Sequence, residues 1–210
     1  MKTAVVMGVG PLRGLGAQLC KRFAQMGFHV LAAGRTLETL EAVVLDIDSD
    51  GGSAEPMVAD ATSEADVVAL FDAAGDGLEL AIYNAGNNMP GRIIEMDAQY
   101  FEDAWRVGCY GGFLFGREAL RHLVPKRTGT LLFTGASASL RGRAKFGAFN
   151  SAKGALRNLA QAMAKEYGPE GVHVGHVVVD GPIGGDKIIN AFPEYAEKLG
   201  EQGMISIDGI

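Results

Sequence analysis

Cysteine, tryptophan and positive charge are all scarce in this 210-residue sequence, which has 2 Cys, 1 Trp and a formal net charge of −6. Cys20 and Cys109 stand far apart, and neither has metal-ligand spacing to a second Cys or His, so nothing points to a metal site. Each lies in a helix-like pattern, where a buried free thiol is expected. Basic runs are missing, which argues against nucleic acid and anionic membranes as partners. No apolar run reaches membrane-spanning length, and the opening MKTAVVMGVG is too short and glycine-interrupted for a signal peptide. Repeats and low-complexity linkers are absent. A cytoplasmic location in a reducing compartment is the expectation.

Glycine, by contrast, is abundant at 30 residues. Because glycine is costly inside helices and strands, that excess implies tight turns and close backbone approaches. Hydrophobic residues at 48% and charged residues at 21% give the balance of an ordinary globule. The length suits one well-buried domain and is short for two.

Apolar β-type runs alternate with amphipathic stretches. Strands are expected at 3–8, 28–34, 53–60, 78–86, 129–135 and 171–180, and helices at 16–27, 36–47, 63–75, 98–124 and 146–168. Ser63 stands as an N-cap with Asp66 at the capping-box distance. The strands are apolar throughout rather than alternating, as in a parallel sheet covered on both faces. Repeated βα units with right-handed crossovers predict one doubly wound, mostly parallel α/β domain over 1–183. Residues 184–210 read as a substrate loop or lid, or as a sheet-edge segment, with a short helix at 193–199. One more helix and strand are expected beyond them, so a shortened C-terminus is an open alternative.

GVGPLRGLG (8–16) falls between a strand and a helix, where glycines let the backbone approach a pyrophosphate and the helix N-terminus supplies amides. Gly8, Gly10, Gly14, Leu15 and Gly16 are the candidate contacts. A glycine-rich turn that binds nothing is the alternative. After the second strand, a dinucleotide site that prefers NAD places Asp or Glu, but here stand Arg35 and Thr36. A guanidinium can bind a 2′-phosphate that a carboxylate would repel, and Arg13 in the loop can meet the same group. NADP(H) is therefore preferred over NAD(H) as the expected cofactor, against the alternative of two solvated surface arginines.

With these motifs in order, residues 3–185 resemble the short-chain dehydrogenase/reductase family, which implies a Rossmann-like fold and a pyridine dinucleotide. Gly10–Gly16 resembles its GxxxGxG loop, and Asp60-Ala61 its adenine-side pair. Asn84-Ala85-Gly86 matches its turn after the fourth strand. Lys153 falls on the lysine that holds the nicotinamide ribose, and Gly181-Pro182-Ile183 resembles the loop packed on the nicotinamide. The resemblance also implies a homodimer or homotetramer through helices 98–124 and 146–168, whose small residues permit close contact.

The departures concentrate at the chemistry. The family's active tyrosine position holds Phe149, which has no proton to give. Its serine position falls on Ala136, with Ser137 one step beyond, and its helix asparagine on Gly108. Asp180-Gly181 replaces the usual Pro-Gly. Tyr110 carries the nearest phenol in sequence, with helix packing as its alternative role. Asp180 is a candidate acid if burial raises its pKa, with a loop cap as the alternative. Ser139 and Ser151 are expected to satisfy local backbone groups, His29 is read as structural, and His122, His173 and His176 are assigned no role. The expected function is an NADP(H)-dependent oxidoreductase acting on a small or apolar carbonyl, alcohol or activated alkene, its substrate lying over Ser137, Phe149, Phe192 and Tyr195. The alternative is a non-catalytic NADP(H)-binding module that controls assembly or a partner.

Overall fold

The computed structural model describes residues 1–86 and 88–209, with Glu201 and Asp208 described in backbone only. Six parallel strands form one sheet in the order β3-β2-β1-β4-β5-β6. They are β1 (Thr3–Met7), β2 (His29–Gly34), β3 (Ser53–Val58), β4 (Leu78–Tyr83), β5 (Thr130–Ala136) and β6 (His173–Val179). The chain reverses its winding between β1 and β4, which opens a crevice at the carboxyl ends of those two strands.

Burial explains the order. TAVVM of β1 is buried along its whole length, and so are all but the first residue of β2 and all but one of β4. These strands hold the centre because every side chain needs cover on both faces. β3 and β6 bury less and form the edges.

One face carries α3 (Glu64–Ala74), α5 (Gly111–Leu123) and α6 (Gly147–Tyr167), packed through Phe71, Phe115, Leu156 and Met163 against Tyr83 and Phe133. The other carries α1 (Leu15–Gln25) and α2 (Leu37–Ser49), packed through Cys20, Leu40, Val43 and Ile47. Both cysteines are buried free thiols. Ser63 caps α3 as its sequence implied, its Oγ accepting the amide of Asp66 at 3.3 Å.

The stretch 98–124 is not one uniform helix. α4 (Ala98–Trp105) runs into a π segment, Arg106–Tyr110, and then into α5. An inserted residue of this kind re-aims the side chains around it. Gly108 sits within the segment and faces α6, where a Cβ added to it would lie 2.6 Å from Cβ of Ala152.

The tail also holds more helix than the sequence reading expected. α7 (Asp186–Ala191) precedes α8 (Pro193–Leu199), and Ile205 returns to bridge Ile183. Among the described residues no strand pairs with β6 on its outer side, and Val177 and Val178 are exposed there.

Candidate active site

The glycine loop starts where β1 ends. Gly8 has φ +95°, and a Cβ on it would lie 2.5 Å from the amide nitrogen of Ala85, so only glycine fits both the conformation and the space. The amides of Gly8 and Val9 donate to the carbonyl of Ala33 at 2.9 and 3.0 Å, tying the loop to the end of β2. Gly14 is the extended N-cap of α1, Leu15 is its first residue, and Gly16 is buried in its first turn. Gly10 meets no side chain or backbone within 4 Å of its Cβ position and faces the open side of the loop. Arg13 is exposed on the same loop.

Asn84, expected among the cofactor contacts, braces the loop. Its Nδ2 donates to the carbonyl of Gly8 at 3.0 Å. Ala85 backs the loop from the same turn. Gly86 follows and turns toward α6.

Arg35 and Thr36 are exposed beyond β2. Asp60 ends the next crossover, where its Oδ1 accepts both the amide and the hydroxyl of Thr62 at 2.8 Å. The Thr62 amide holds this carboxyl below its usual range, helped by the Thr62 hydroxyl and by Arg35 and Arg106, against an upward push from burial. Ala61, buried, packs in the core beside it. Arg106 had no motif to announce it.

Lys153 is the most constrained of the candidates. Only 5% of it is exposed, and its Nζ donates to the carbonyl of Thr134 at 2.7 Å. A Cβ on Gly86 would lie 3.5 Å from that nitrogen, so the ammonium faces the turn after β4. It lies 5.8 Å from the ring centre of Phe149, one turn earlier on α6. Burial lowers its pKa to about 8, with a further push from Lys187. A solvated helix lysine is thereby excluded.

The other chemical candidates divide. Ser137 follows the last residue of β5. Tyr110 does not join Lys153 and Phe149. Its ring lies under the Arg106 guanidinium at 5.0 Å and beside Phe113, and Gly111 next to it abuts Ala61 and Tyr83 on the Asp60 side. The π segment turns the phenol that way while Gly108 meets α6. Asp180 is likewise not a buried acid. It is exposed and pairs with Arg141 at 3.4 Å. Ser139 and Ser151 bond backbone carbonyls within their own segments, at 2.7 and 2.8 Å. Tyr83, a further phenol, is buried and donates to the carbonyl of Val107 at 2.5 Å.

Pro182 and Ile183 are tied to the end of the tail. The Ile205 amide donates to the carbonyl of Pro182 at 2.8 Å, and Gly181 packs against Ile205. Two shallow surface depressions, one lined by Lys21, Gln25 and Asp50 and the other by Phe23, Phe28 and Leu132, lie away from these residues. Among the described residues no cluster of His, Cys, Asp and Glu could hold a metal, and no helix is long and apolar enough to cross a membrane.

A glycine loop braced by Asn84, a buried lysine one turn from the tyrosine position and a doubly wound sheet form a consistent set. The short chain dehydrogenase family profile matches residues 2–184. The chain belongs to that family. A short-chain dehydrogenase from Rhodopseudomonas palustris is 35% identical, with a TM-score of 0.82 over 98% of this chain and 97% of that one. Versicolorin reductase stcU of Emericella nidulans is 30% identical over 92% of this chain and 74% of its own length. A gluconate 5-dehydrogenase from Burkholderia cenocepacia, solved with NADP and tartrate, shares the fold at 20% identity and a TM-score of 0.84, over 99% of this chain and 84% of that one. Coverage of other relatives is shorter, at 28% of the Bacillus subtilis oxidoreductase YuxG and 66% of a Gluconobacter oxydans gluconate 5-dehydrogenase. The class these relatives define is oxidoreductase.

Proposed function

We propose that the chain is an NADP(H)-dependent oxidoreductase acting on a small or apolar carbonyl, alcohol or activated alkene, with the cofactor-holding half of the family's site kept and the acid half lost. The observation that carries this reading is Lys153, whose ammonium is buried beside Gly86 with a carbonyl for its partner. Holding a charge in such a place costs several kcal/mol unless an anion or a polar ligand compensates.

The residues present fit a phosphorylated dinucleotide. The open side of the loop at Gly10 and the first amides of α1 would receive the diphosphate, and Arg35 and Arg13 the 2′-phosphate. Lys153 would hold the ribose beside Gly86, with Pro182 and Ile183 as the wall behind. Asp60 has one carboxylate oxygen already committed to Thr62, so it contributes through the shape of its turn and through Oδ2. Two cations, Arg35 and Arg106, stand near it. When bound, the reduced nicotinamide supplies a hydride.

What remains is the proton. Phe149 gives none, and Ser137 is a poor acid without a partner. An electron-poor double bond suits this site better than a ketone, because hydride addition to it leaves a delocalised anion rather than a localised alkoxide, so the step needs less help from a positioned acid and water can supply the proton. Ile93 against Gly147 and Leu140, exposed beside the serine turn, supply apolar surface that suits such a substrate. Exposed Phe101, Trp105 and Phe113 along the 98–124 stretch support a homodimer or homotetramer through that surface.

Calorimetry with NADPH and NADH, followed by an NADPH-oxidation screen over ketones and enones, tests the reading. Saturable NADPH binding with enone turnover is the expected result. Binding without any turnover favours the second reading, a non-catalytic NADP(H)-binding module, which Phe149 at the acid position motivates. Binding of neither dinucleotide overturns both.

A further inference from the structure

Lys187 lies outside every motif of the chain, yet it reaches the centre of the crevice. It occupies the first turn of α7, and its Nζ lies 3.5 Å from the carbonyl of Gly86. Gly86 therefore stands between two ammonium groups, with Lys153 on its Cα side and Lys187 at its carbonyl. Arg35 is close enough to act on Lys187 by charge, and Lys187 to act on Lys153, so Lys187 stands between the two ends of the crevice.

The tail is seated to hold it there. The amide of Asp186 donates to the carbonyl of Arg13 at 2.9 Å, and Gly185 packs so closely on the Arg13 backbone that a side chain would collide with it. The Gly184 amide donates to the carbonyl of Ile205 at 3.0 Å, fixing the stretch from the other side. Lys187 itself keeps contact with water, and among the described residues no carboxylate pairs with it. A cation set between two others and, among the described residues, bonded to the Gly86 carbonyl is placed to gain from an anion beside it.

We propose that Lys187 completes an oxyanion site between the glycine loop and Gly86, taking the diphosphate of the bound dinucleotide and so clasping the tail over it. The inference rests on the dinucleotide reading above. Its chemistry, a diphosphate met by a tail lysine, could equally be claimed by an acidic group on the substrate. Position favours the cofactor, because Lys187 bonds the β4 turn and its helix bonds the glycine loop.

The test is a set of titrations of the whole chain and its Lys187→Gln and Lys187→Arg variants. Three probes are used: ADP, which carries the diphosphate without nicotinamide; NADPH; and 2′-AMP, which reaches only the Arg35 end. Hydrogen exchange of 186–199 is followed with and without ADP. Lys187→Gln is expected to weaken ADP and NADPH about tenfold or more while 2′-AMP changes by less than about threefold, and Lys187→Arg to restore most of the loss. ADP is expected to slow exchange in α7 of the unmodified chain and not of Lys187→Gln. Undiminished ADP and NADPH binding by a folded Lys187→Gln variant overturns the clasp and leaves the dinucleotide reading intact, and would be the pattern if the lysine served an acidic substrate. Equal losses for all three probes also overturn it, by showing general weakening. An unmodified chain that binds none of the three removes both.

Discussion

Lys153 holds its ammonium 5.8 Å from the centre of the Phe149 ring, one helical turn apart on α6. In a site with tyrosine at that position, this cation lowers a phenol's pKa and readies its proton. Here the cation is in place and the hydroxyl is not.

Phe149→Tyr is the direct probe of what that geometry is worth. A positioned acid typically contributes about two to four powers of ten in rate. Ketone reduction with NADPH is expected to appear or rise by about that range, with NADPH affinity unchanged. Unchanged turnover with intact cofactor binding would mean that Ala136 and Gly108 have dismantled the site as well.

Lys153 also makes a prediction about pH. Its pKa in the fold is about 8, against an ordinary value of 10.5. Between those two values the unfolded chain binds the proton that the folded chain has released, so stability rises with pH over that window. Below about 8 both states hold the proton, and the burial cost is fully present. The gain on moving from pH 8 to 10.5 is on the order of 3 kcal/mol at most. Urea unfolding at several pH values checks it, since Lys153→Met is expected to abolish this rise and to weaken NADPH binding. A rise of equal size in the variant would assign it to another group.

Arg35→Asp addresses the choice of dinucleotide. Charge-assisted hydrogen bonds contribute about 1.5–3 kcal/mol, so NADP(H) affinity is expected to fall by about ten- to a hundredfold. NAD(H) affinity is expected to hold or improve. Tighter binding of NAD(H) than NADP(H) by the unmodified chain would reject the assignment.

Gly108→Asn restores the family's helix asparagine in composition but not in space. Its Cβ would stand 2.6 Å from that of Ala152. Overpacking of this kind costs about 1–3 kcal/mol. A lowered melting temperature with no gain in activity is expected, and an undisturbed fold would show that α6 can retreat.

The six strands, their mostly parallel arrangement and most helices were legible because burial in a doubly wound domain writes itself as apolar runs and capping residues. β1 and Ser63 are examples. The glycine loop was legible for the same reason, since Gly8 has a conformation that other residues rarely adopt. Three features were not. Tyr110 was a candidate only as the nearest phenol in sequence, with helix packing as its alternative, and nothing in the sequence marks the π segment Arg106–Tyr110 that changes which residues share a face. Asp180 carried no sign of Arg141 lying 39 positions earlier in the chain. Lys187 was invisible because its role depends on where α7 lands, and Gly185 on the Arg13 backbone decides that. Asn84 was legible as part of the turn after β4, and the fold adds that its amide donates to the Gly8 carbonyl.

The fit of Gly108 against Ala152 makes the asparagine the costly member of the quartet to install. Three substitutions, at Gly108, Ala136 and Phe149, stand between this sequence and the family's quartet, and the one at Gly108 meets a packing cost before it can contribute any chemistry, so a search for better turnover starts at the other two positions.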